Sequence, residues 1–114
     1  GKTAATILER AGLQEKIKPH VTVYGATVKQ LALYAAEGAV DAAIIARADA
    51  VQFKDRVRMI DIPEKLYDTE IVAIAVLKTT VDEKAAGELR DFMSSPQAIA
   101  VFTQFGFLPL KQSK

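Results

Sequence analysis

The residues best placed to do chemistry lie in two turns. YGATVKQ, residues 24 to 30, carries the chain from the carboxyl end of an apolar β-branched run into a helix N-terminus. There the free amides and the helix dipole favour an anion, and Thr27 adds a hydroxyl. AIIARADA, residues 43 to 50, brings Ala46, Arg47 and Ala48 off a second apolar run, and Arg47 could hold an oxyanion. Each feature has a plainer reading: Thr27 caps its own helix, and Arg47 pairs with Asp49 at the surface. Taken together, the two turns describe a small-anion pocket at strand carboxyl ends, with Thr27 and Val28 at the same sheet edge as Ala46 and Arg47.

Other chemistries find little to work with. His20 is the only histidine, so a multi-histidine metal site is excluded and a Ser-His-Asp triad could run only through it. The carboxylates Asp41, Asp49, Asp55 and Asp61 show no spacing that argues for shared acid/base work. The glycines at 25, 38, 87 and 106 stand singly, unlike a dinucleotide fingerprint or a P-loop. The absence of cysteine removes disulfides, thiolate metal sites and a cysteine nucleophile. No cofactor is expected, and the residues do not read as an enzyme's.

The elements that must position the two turns follow from periodicity. TAATILERAGL puts Ala4, Ile7, Leu8 and Ala11 on one stripe and closes on Gly12, a helix. VTVYG, residues 21 to 25, reads as a strand, TVKQLALYAAEG as a helix ending at Gly38, and DAAIIARA, residues 41 to 48, as a second buried strand, which together make a β-α-β crossover. VRMIDIP and EIVAIAVLKTT supply two more strands. VDEKAAGELRDFM is an amphipathic helix started by Val81 or Asp82. In SSPQAIAVFTQFGFLPL, Ser95 and Pro96 open a last helix, Gly106 stops it, Phe107 can fold back as the apolar contact of the stop, and Pro109 prevents a restart. The pattern predicts one α/β unit over residues 1 to 114, a mainly parallel sheet with helices on both faces.

Composition bounds the partners. Fifteen basic and fourteen acidic residues nearly cancel, which leaves no electrostatic footprint for nucleic acid or an anionic membrane. No apolar run reaches the length of a membrane span, and direct membrane insertion is not expected. The opening GKTAATILER is no signal peptide, so the signal of an exported protein would lie upstream. A fold of this class usually opens on a strand, whereas this chain opens inside a helix and reads as part of a longer one. The final helix is apolar almost all the way round, with Ile99, Val101, Phe102 and Phe105 in need of cover, so a homodimer of the isolated chain is also expected.

The runs TVKQLALYAAEGAVDAAIIARADA, EIVAIAVLKTT and LRDFMSSPQAIAVFTQFGF resemble the carboxyl half of the molybdate/tungstate-binding proteins of ABC importers, which are type II periplasmic solute-binding proteins. The resemblance implies two α/β lobes of the periplasmic-binding type, with a tetrahedral oxyanion held between them by backbone amides and hydroxyls. It places an amide donor on Val28 with Thr27 beside it. The tyrosine that many members carry after the second strand corresponds to Ala46, which has no hydroxyl, and Arg47 or Tyr24 are the residues that could replace it. The implied partners are a small oxyanion and an ABC permease, and the implied location is periplasmic or otherwise extracytoplasmic. The same fold also serves as the effector-binding domain of transcriptional regulators, which is the alternative role, and an assembly module is a third.

Overall fold

The computed structural model describes residues 1 to 111 and divides them into two compact units, Gly1–Thr69 and the residues from Glu70 onward. The first unit contains α1 (Lys2–Arg10), α2 (Gln14–Ile17), a 3-10 turn (Lys18–His20), α3 (Val28–Ala36), α4 (Arg47–Val51) and a second 3-10 turn (Glu64–Leu66). The second contains α5 (Glu83–Met93) and α6 (Pro96–Gln104).

The expected α/β lobe, a mainly parallel sheet with helices on both faces, is not what the chain adopts. Among the described residues there is no strand. The runs read as strands, 21 to 25, 41 to 48, 57 to 63 and 70 to 80, form no ladder, and the end of the second, from Arg47, lies in α4. Every backbone hydrogen bond found outside the helices links residues at most five apart, as in Leu13 N to Leu8 O at 2.8 Å. The reason for the difference is physical. β-branched alternation selects an extended backbone, but a sheet also needs a partner strand in register, and that is a long-range property. Here the partners are not supplied, and apolar side chains meant for both faces of a sheet stand in water: Ile71 is 67 % exposed, Val72 72 % and Leu77 70 %.

The helices themselves follow the local signals closely. In α1 the stripe of Ala4, Ile7, Leu8 and Ala11 turns inward and Ile7 is buried. Gly12 closes the helix at φ +68°, where a side chain would be strained, and Leu13 N donates back to Leu8 O in the Schellman manner. The Arg10 guanidinium reaches both oxygens of Asp68, at 2.9 and 3.1 Å, and fastens α1 to the end of its own unit. α3 packs on α4, burying Ala32 and Ala50. These small residues let the two helices approach closely.

In the second unit Asp82, not Val81, caps α5 by accepting from Ala85 N at 2.9 Å. Ser95 caps α6 by accepting from Ala98 N at 3.3 Å, with Pro96 at the first helical position. Gly106 ends that helix at φ +92°. Phe107 N donates to Phe102 O at 3.1 Å, and the two rings meet edge to face with centroids 5.7 Å apart. The fold-back therefore covers part of Phe102, while Ile99, Val101 and Phe105 keep 39 to 55 % of their surface in water.

Because Ser95 satisfies an amide that α6 cannot satisfy itself, Ser95→Ala should lower stability by about 1 kcal/mol. Ser94→Ala, which removes only an exposed bond to Arg90 O, should change it by less than about 0.5 kcal/mol. Urea denaturation followed by circular dichroism measures both; equal midpoints for the two variants would contradict the capping role.

Candidate functional site

The first turn is held by α3 itself. Thr27 is its N-cap at φ −135°, ψ 155°, and its hydroxyl accepts from Gln30 N at 3.2 Å. Gln30 answers by accepting from Ala26 N at 3.1 Å, a reciprocal cap of the capping-box kind. Its amide nitrogen donates to the Tyr34 hydroxyl at 2.7 Å, so one side chain ties the turn to the next helical turn. The plainer reading of Thr27, that it caps its own helix, is therefore what its hydroxyl does here. Two first-turn amides remain, those of Val28 and Lys29, which have no backbone partner among the described residues. Val28 is half in water, and Tyr24, on the approach to the turn, is 85 % exposed.

Gly25 is required for a packing reason. A Cβ there would lie 2.5 Å from Leu31 Cγ and 3.2 Å from the Thr27 carbonyl oxygen. The chain can fold over the start of α3 only because this residue has no side chain.

The second turn ends on α4. Ala46 is its N-cap and contributes no side-chain bond, and Arg47 occupies the first helical position. Arg47 Nη1 donates to Asp61 Oδ1, so the partner is not Asp49, the neighbour suggested by the sequence. Asp61 comes from the extended run 58 to 63, fourteen residues on, and no local pattern points to it. Both side chains face solvent, at 43 % for Arg47 and 81 % for Asp61. The two turns thus share one unit and lead into two helices that touch.

Elsewhere the second unit has a shallow depression of about 450 Å³ between the 74 to 81 run and α5, lined by Ile74, Leu77, Val81 and Leu89 with Arg90 at its edge. Arg90 is engaged by Asp91 at 2.8 Å. Among the described residues no group of histidine, aspartate and glutamate could hold a metal ion, and no helix is long and apolar enough to cross a membrane. The geometry can offer amides, a capped helix end and one guanidinium. Groups of these kinds are ordinary hydrogen-bond donors to an anion.

Comparison with known proteins gives a consistent result. Residues 1 to 108 match the family described as bacterial extracellular solute-binding protein. A candidate binding protein of Haemophilus influenzae is 40 % identical over 111 residues, covering 97 % of this chain and 45 % of that protein. A candidate ABC-transporter substrate-binding lipoprotein of Bacillus subtilis is 32 % identical over 103 residues, 88 % of this chain and 38 % of that one. A molybdate-binding protein of Rhodobacter capsulatus is 24 % identical over 108 residues, 95 % of this chain and 42 % of that one. The chain thus spans less than half the length of the curated relatives it matches. No solved structure gives a significant match.

The packing around Gly25 makes a signed prediction. Gly25→Ala should destabilise by about 1 to 3 kcal/mol, because Leu31 or the Thr27 carbonyl must move. Gly87→Ala, inside α5 where an added Cβ meets nothing within 4 Å, should stabilise by about 0.5 to 1 kcal/mol. Thermal unfolding of the two variants beside the parent checks this; shifts of the same sign would refute the close approach at Gly25.

Proposed function

The chain belongs to the bacterial extracellular solute-binding proteins, and from that premise we propose that it is part of the solute receptor of an ABC importer and captures a small tetrahedral oxyanion, molybdate or tungstate. The observation that carries the ligand is the start of α3. Its hydroxyl and one amide are spent on the reciprocal cap, and the amides of Val28 and Lys29 are left to an outside acceptor. Neutral donors fixed by a helix suit an anion that is to be bound and later released, because they lower its energy without a counter-charge to strip away. The Rhodobacter relative, a molybdate-binding protein, supports the same class of solute.

Capture in this reading is a conformational event with no reaction. The donors on this chain form one wall, and a second wall closing on the anion replaces its remaining water. The loaded form is then presented to a permease outside the cytoplasm, as the naming of the Bacillus relative suggests for that protein. Both the permease and the extracytoplasmic setting belong to this proposal.

Proline at position 28 supplies a clean test. Val28 is the first residue of α3, where proline is tolerated, and Thr27 already has the extended backbone that a following proline requires. Val28→Pro therefore deletes one amide donor and keeps the helix. Calorimetric titration of the complete protein with molybdate, tungstate and sulfate should show molybdate or tungstate binding, weakened on the order of ten- to a hundredfold in the variant, the cost of a hydrogen bond to a charged group. Undiminished affinity in a folded variant would remove the α3 start from the site.

A further inference from the structure

Arg10–Asp68 and Arg47–Asp61 are ion pairs of the first unit, and both face solvent. Arg10 Nη2 donates to both oxygens of Asp68 across a chain separation of 58 residues. Arg47 engages Asp61 through one bond, Nη1 to Oδ1, in solvent. A guanidinium has five N–H donors in a planar fork, so a single contact leaves most of that fork uncommitted. Exposed pairs of this kind contribute little to stability. α4 touches α3 and its buried residue is Ala50, while the Arg47 side chain at its first position faces solvent.

What the pair does contain is an oxyanion. The Asp61 carboxylate occupies, with one of its oxygens, a donor that a solute oxyanion would also use. Ala46, immediately before, has no side-chain donor of its own, so Arg47 is the first group after the second turn able to grip an anion. We infer that Asp61 is the built-in competitor of the solute at Arg47, a specificity-determining residue that sets how tightly and how selectively by charge the anion is held. The inference rests on the oxyanion reading of the α3 start. It assigns Arg47 as a donor to the solute and Asp61 as the group that must yield that donor. Having yielded, the carboxylate remains close enough to repel the solute, so a dianion feels it more than a monoanion does.

The test compares Asp61→Asn, Arg47→Gln and the double variant in the complete protein, titrated with molybdate at low and high salt. Asparagine keeps the shape of Asp61 and removes its charge, and both positions are exposed enough for the variants to fold, which thermal unfolding verifies. Asp61→Asn should tighten molybdate binding about three- to tenfold at low ionic strength, and the gain should shrink as salt shortens the screening length. Arg47→Gln should weaken binding and abolish the effect of Asp61→Asn in the double variant. Unchanged or weaker binding in Asp61→Asn overturns the inference. So does an equal gain in the Arg47→Gln background, which would mark a general field effect without displacement. A parent protein that binds molybdate while Asp61→Asn is silent loses only this inference; a parent that binds none of molybdate, tungstate and sulfate loses the oxyanion reading as well.

Discussion

The reciprocal cap at the start of α3 is the constraint on which the functional geometry depends. A helix begins with amides that no helical carbonyl can satisfy, and something must accept from them. Thr27 and Gln30 divide that task, one accepting from inside the helix and the other from the turn before it. What they leave over inside the helix is fixed by subtraction, the amides of Val28 and Lys29, with that of the N-cap Thr27 beside them. Tyr34 keeps the Gln30 amide from swinging away, and Gly25 lets the incoming chain lie close enough for Ala26 to reach it. A change at any of these positions alters which amides are available to an anion, although none of the side chains need touch one.

The packing around this turn is thin. Ile7, Ala32, Ala50 and Ala98 are the buried apolar residues among those described, and three of the four are alanines. Alanine contributes little apolar area, so the helices are held by caps and end-closures as much as by a core. The large apolar side chains lie outside it. Ile60 is 74 % exposed, and in the run from Ile71 to Leu77, which has no ladder, Ile71, Val72 and Leu77 stay two-thirds or more exposed. Surface of this kind contributes nothing to stability while it faces water, which makes each individual cap count for more in a chain of this length.

That contrast explains what could be read from the sequence. Helix limits were legible because their causes lie within four or five residues: Ser95 and Pro96 at the start of α6, Gly106 and Phe107 at its end, and Thr27 before α3. At α5, where the sequence left Val81 and Asp82 both open as the start, the structure only chooses between neighbours. The sheet was not legible. VTVYG and EIVAIAVLKTT specify an extended backbone and an apolar surface, but no residue in either run names its partner, and the structure leaves both unpaired. The same limit separates Asp49 from Asp61 as the partner of Arg47. Proximity in sequence favours Asp49, but that residue lies two positions along a helix, where side chains diverge, whereas Asp61 is brought in by the return of the chain.

The two groups proposed to bind the anion differ in what they can discriminate. An amide at a helix end offers a partial charge in a fixed direction, and it rewards an oxygen of the right size and position with little regard for total charge. A guanidinium offers a full charge on a flexible stem, and its reward grows with the charge of the ligand and falls with salt. Amides alone separate oxyanions by shape; arginine alone would favour any abundant polyanion. A carboxylate that must be displaced first subtracts most of the unselective part of the arginine's attraction and leaves its directional hydrogen bonds. In the proposed site, Arg47 with Asp61 would then behave more like the neutral donors at Val28 and Lys29 than a bare arginine could, and anions would be sorted by geometry although Ala46 lacks a hydroxyl.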